Sequence, residues 1–139
     1  MRVRFRYSTY TAGNSAEQLD MERMLHELWH VRQRTMLTAR DWRPATDVVD
    51  LGDSLLITME LAGVPEHEID ISLYADHLVV SGTRTDHRPA DAQAAYLEAG
   101  IHYGPFRADI RLPGPVDSER VSAALNNGFL IITLPRAVE

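Results

Sequence analysis

One short stretch of this chain carries a motif with a reaction attached to it. His26-Glu27-Leu28-Trp29-His30 spells H-E-x-x-H. On a helix, two histidines four apart share a face and can hold a zinc ion, with Glu27 as general base. The surroundings do not complete such a site. Its extended form needs glycine at 33 and histidine at 36, where this chain has Gln33 and Met36. A third ligand from a following helix is also missing, because the pattern turns to strands after Pro44. The residues therefore imply no catalytic group, no metal and no cofactor. His26 and His30 read as the wet face of an amphipathic helix, open at most to adventitious zinc or nickel. His67, His77, His87 and His102 fall in turns and loops without ligand spacing.

Other chemistries are excluded by composition. The chain has no cysteine, which removes thiol catalysis, thiolate metal sites and disulfides. All fourteen basic residues are arginine, so lysine Schiff bases and a Walker phosphate loop are ruled out. None of the serines sits in a G-x-S-x-G elbow. Charge is unevenly spread. Residues 1–43 hold eight arginines against five acids, and residues 44–139 hold six against fifteen. An acidic body argues against nucleic acid as a partner. The basic start, MRVRFRYSTY, is not followed by an apolar run, so neither a secretory signal nor a membrane span is expected. A cytoplasmic protein is the expectation.

The elements that carry these residues divide the chain in two. Residues 1–43 form an arm. Arginine alternates with Val3, Phe5 and Tyr7, which reads as a short strand or as a disordered terminus. Ser15 can cap a helix running from about 16 to 34. Met21, Met24, Leu25, Leu28 and Val31 fall on one stripe of it. That stripe must be buried on its own domain, on a second subunit or on another protein. Its methionines suit a surface that adapts to many shapes, and equally suit the filling of core gaps.

From Pro44 on, strands follow in close succession: Val48-Val49, Ser54–Leu61, Ile69–Leu73, Leu78–Ser81 closed by Gly82, Pro105–Leu112, Val121–Leu125 and Phe129–Leu134. Asn126-Asn127-Gly128 between the last two is a hairpin signal. The final strand has apolar residues on both faces and is expected deep in a sheet. Seven short strands with regular turns predict an all-β antiparallel sandwich. Residues 83–100 are too long for a hairpin connection and so are functional, mobile or paired with another chain.

Four strings, LAGVPEHEIDISL, LVVSG, YGPFRADIRLP and AALNNGFLIITLP, occur in this order. Together they resemble the small heat-shock protein (alpha-crystallin) family over about residues 44–136. The matching positions are Leu61, Gly63, Val64, Leu78, Val80, Gly82, Gly104, Phe106, Leu112, Pro113, Ala124, Asn127, Gly128, Leu130, Ile132, Leu134 and Pro135. The resemblance implies an immunoglobulin-like β-sandwich. It also implies an ATP-independent holdase that binds partly unfolded client proteins, which other chaperones later refold. It implies a homodimer made by strand exchange through the loop at 83–100, with Tyr96 and Leu97 in the exchanged strand and Arg107 at the interface. By the same analogy, client segments would meet the helical stripe. They would also meet a groove between Ile69, Ile71 and Leu73 on one side and Val121, Ala123 and Leu125 on the other. A short edge or the mobile arm covering that groove is the competing expectation.

Three positions depart from the family pattern. Ala108 stands where an arginine is usual, and Ile101-His102 replace a Glu-Arg pair. Residues 137–139 carry no I-x-I tail, so the expectation is a dimer or a small assembly held by the arm. A binding module of the CS-domain co-chaperone type, serving one dedicated partner, is the alternative.

Overall fold

The computed structural model describes residues 1, 3–5, 41–87 and 93–138. The helical stripe with Met21, Met24, Leu25, Leu28 and Val31, and the H-E-x-x-H motif with it, lie outside the described residues. So does the center of the long loop.

Among the described residues, eight strands make two four-stranded sheets. In chain order they are β1 (Arg4–Phe5), β2 (Thr46–Asp50), β3 (Ser54–Glu60), β4 (Ile69–Leu73), β5 (His77–Arg84), β6 (Gly104–Arg111), β7 (Ser122–Asn126) and β8 (Phe129–Pro135). One sheet has the order β1-β4-β5-β6 and the other β2-β3-β8-β7. Every pairing is antiparallel except β1 with β4.

Period-two alternation builds the core. Leu55, Ile57 and Met59 of β3 share an inward face with Leu130, Ile132 and Leu134 of β8. They meet Ile71, Leu78, Val80, Phe106 and Ala108 from the other sheet, and all of these are buried. Sandwiching two apolar faces removes both from water, which is the main driving force for this fold.

The turns follow their residues. Asn126 pairs with Phe129 across a two-residue loop in which Asn127 has φ 51° and Gly128 φ 83°. Two successive positive φ values give the turn whose twist matches a hairpin, and Asn-Gly is its preferred pair. At the β2–β3 turn, the Asp50 carboxylate accepts from the Gly52 backbone N–H at 2.9 Å. Leu51 N–H donates to the Ser54 carbonyl.

Two expectations need correction. Gly82 does not close its strand, because β5 runs on to Arg84 and pairs with β6 throughout. Glycine is needed there for space: a Cβ would collide with the Glu68 carbonyl oxygen and come within 2.7 Å of the Phe106 ring. The last strand is also less enclosed than expected. β8 is central in its sheet, but only its inward face is buried, and Phe129 on the outward face is exposed. A two-layer sandwich covers one face of each sheet, and nothing among the described residues forms a third layer.

Candidate functional site

The position of the sheet edges decides where another chain could bind. Trp42 forms a one-residue parallel bridge with Phe106 on the outer edge of β6. Its N–H donates to the Pro105 carbonyl and its own carbonyl accepts from Arg107 N–H. Only four residues on, the chain enters β2. The β6 and β2 edges therefore lie on the same side of the sandwich, and β4 and β7 lie on the other.

Between β4 and β7 is the first candidate site. Ile69, Ile71 and Leu73 form its floor and are all buried. Val121, Ala123 and Leu125 form the opposite wall, partly buried against the core. β1 pairs along the β4 edge. Arg4 pairs with Ser72 and Phe5 with Leu73, in parallel. Met1 and Val3 pack against the same core cluster. Of the two expectations for the start of the chain, the short strand is the one observed. The alternation of Val3, Phe5 and Tyr7 with arginines points to the strand, but not to its partner.

The second candidate site is the β2 edge. Among the described residues β2 pairs only with β3, and Val48, Val49 and Leu51 are exposed along it. On the same side, the described part of the long loop exposes Tyr96, Ile101 and, completely, Leu97. No strand is formed by residues 93–103 within the single chain.

A cluster of side chains fixes the root of that loop. The Arg84 guanidinium lies 4.2 Å from the center of the Trp42 ring, a cation–π contact. Arg84 Nε donates to the His102 carbonyl at 2.9 Å, and its Nη1 to the Ala62 carbonyl at 3.0 Å. The His102 imidazole stacks on Trp42 at 5.7 Å, and Trp42 Nε1 donates to the Gly104 carbonyl. These groups border an open cleft of about 530 Å³ that also touches Glu60 and Phe129. Sequence patterns gave no sign of this cluster, whose members lie far apart in the chain.

Charge is otherwise spent on the surface. Arg136 Nη2 meets Asp50 Oδ2 at 2.7 Å. The Gly52 N–H bond chiefly holds the Asp50 carboxyl below the usual carboxylate range; desolvation opposes it, and Arg136 lowers it further. Ala108 lies fully buried between the sheets. Arg107, on the opposite face of β6, is partly buried beside the Trp42 bridge.

The sequence model described as "Hsp20/alpha crystallin family" matches residues 47–139, two thirds of the chain. This chain belongs to the Hsp20/alpha-crystallin family. It is 32% identical over 96 residues to spore protein SP21 of Stigmatella aurantiaca, a match covering 69% of this chain and 56% of that protein. It is 26% identical over 99 residues to small heat shock protein C2 of Rickettsia felis, covering 71% and 64%. This chain thus matches little more than half to two thirds of the length of these relatives. Among solved structures, heat shock protein 16.0 from Schizosaccharomyces pombe superposes with a TM-score of 0.63 at 26% identity. That superposition covers 70% of this chain and 89% of the other. The alpha-crystallin β-sandwich is therefore the fold, and the edges described above are edges of that domain. No helix among the described residues is long and apolar enough to cross a membrane.

Proposed function

We propose that this small heat-shock protein is a cytoplasmic, ATP-independent holdase that binds partly unfolded proteins and keeps them from aggregating until other chaperones refold them. The observation that supports the reading is the β4 edge, which already pairs with a short extended segment, Arg4–Phe5, while Met1 and Val3 pack on the core cluster. Backbone pairing at a sheet edge accepts many sequences, which suits a protein with many clients. The helical stripe from Met21 to Val31 belongs to the same proposal as a second client surface. The test is aggregation of heated citrate synthase without ATP. Suppression near one chain per client chain is expected. Aggregation unaffected at a large excess, together with tight binding to a single partner, would favor the CS-domain type of module instead.

The same reading includes a homodimer. The β2 edge with Val48, Val49 and Leu51 has room for a further strand, and the loop bearing Tyr96 and Leu97 is the candidate donor, with Arg107 near the contact. Burying a fully exposed leucine stabilizes association by roughly 1.5–3 kcal/mol. Leu97→Asp is accordingly expected to shift the mass measured by light scattering from two chains toward one. An unchanged mass would remove the loop from the interface.

A further inference from the structure

We propose that the outward face of the β1-β4-β5-β6 sheet, centered on Val79, is a docking surface whose occupant is the chain's own segment 6–40, laid over the sandwich as a third layer. The inference is separate from the holdase reading, which needs no seat for the arm, and its test involves no client.

Three observations carry it. First, Val79 is buried in the wrong place for a two-layer fold. Its neighbors Leu78 and Val80 belong to the core cluster, and Val79, between them, does not. It lies on the outward face, in a row with Ser72 of β4 and Asp109 of β6. Val79 is nevertheless only 6% exposed and Ser72 only 7%. His77 shares this face, and its burial is explained by the Tyr74 ring stacked on it at 4.5 Å. Over Val79 the described residues provide no such cover, since they form two sheets and their connections and no further layer.

Second, the other sheet shows what an uncovered outward face looks like in this molecule. Thr58 and Ile131 pair at its center and are only partly buried. On the same face Val49 and Phe129 are 45% and 42% exposed. A valine set among polar residues on an outward face is wet in the same way unless something lies over it. Third, both ends of segment 6–40 are pinned to this one sheet. Phe5 pairs on the β4 edge, and Trp42 bridges to the outer edge of β6. From β1 to Trp42 is four strand spacings, roughly 19 Å. The core fills the space between the sheets, so the chain cannot pass inward. The short way from one edge to the other crosses the outward face, over Val79. The surface suits a segment with one narrow apolar side, because Ser81, Asp70, Arg107 and Arg111 share the face with that single valine. Of the three partners open to the arm's apolar stripe, its own domain is the one this assigns.

The test has two parts and uses the full chain. There is no native cysteine, so single cysteines report cleanly. Val79→Cys is expected to react with a polar maleimide about tenfold more slowly than Ala124→Cys, which lies on the exposed outward face of β7. Both variants should keep the circular dichroism of the parent. Equal rates overturn the covered face. Slow reaction alone could come from neighboring side chains, so the second part identifies the cover. Ser81→Cys is labeled with a benzophenone maleimide, irradiated and mapped by mass spectrometry. Cross-links to peptides within 6–40 are expected. Cross-links confined to 41–139 mean that the sandwich shields its own valine, and they overturn the docked segment. Mixing isotopically heavy and light chains before irradiation identifies the donor. Cross-linked pairs of a single isotope composition are expected. Mixed pairs place another copy's segment on the face and overturn the assignment to the same chain.

Discussion

Gly82→Ala is expected to cost about 3 kcal/mol, at the upper end of what overpacking a core does. The residue lies in mid-strand, opposite Ile69 on one side and Phe106 on the other. The added methyl would run into the Glu68 carbonyl oxygen, which is backbone at the end of the short 3-10 turn Glu66–Glu68 and cannot swing aside. It would also press on the Phe106 ring, with Cζ at 2.7 Å and Cε1 at 3.1 Å. Relief requires β4 or β6 to shift away from β5, and either shift weakens a full ladder of hydrogen bonds. A domain of this size has only about 5–15 kcal/mol in hand. The melting temperature followed by circular dichroism should fall by roughly 12–24 °C. Gly100→Ala is the control: a Cβ there meets nothing within 4 Å, and its melting temperature should not change. Equal melting of the two variants would mean that β5 and β4 are not packed as closely as described.

Much of the sandwich was legible because its signals are local. The Asn127-Gly128 turn and the alternation in Leu130, Ile132 and Leu134 each needed fewer than ten residues of context, and both appear as expected. Gly82 was misread for the same reason. Locally, a glycine after Leu78–Ser81 looks like a stop. Its actual cause is the approach of Glu68 and Phe106, fourteen and twenty-four residues away in sequence. The apolar outward face of β8 misled in a related way: composition reports that a face is oily, not whether another layer exists to cover it. The candidate sites were legible in part. Ile69, Ile71 and Leu73 lie on β4 and Val121, Ala123 and Leu125 on or just before β7, all buried or partly buried against the core, and their part in binding rests on the resemblance. That β1 lies on β4 depends on a pairing between segments nearly seventy residues apart, which no periodicity encodes. The Trp42–Arg84–His102 anchor is held by cation–π and backbone contacts, which leave no pattern in the chain.

Phe106→Ala is expected to be the most damaging single truncation, costing about 4 kcal/mol. The ring is the largest of the fully buried side chains among the described residues. It contacts the Trp42 ring at 5.5 Å between centers and fills the space left by the missing side chain of Gly82. Its removal leaves a void that β4, β5 and β6 cannot close without breaking register. Two further readouts identify the cause. The Trp42 indole loses its neighbor and admits water, so fluorescence of a Trp29→Phe background should shift to the red in the folded protein. The second readout is a double-mutant cycle. Once the ring is gone, Gly82→Ala no longer strikes it, so the double variant should be less destabilized than the sum of the singles by about 1 kcal/mol. The recovery must be incomplete, because the Glu68 carbonyl still stands in the way of the methyl. Full additivity would mean that the ring and the glycine do not share that space. Complete recovery would mean that the ring alone, and not the β4 backbone, is what forbids a side chain at position 82.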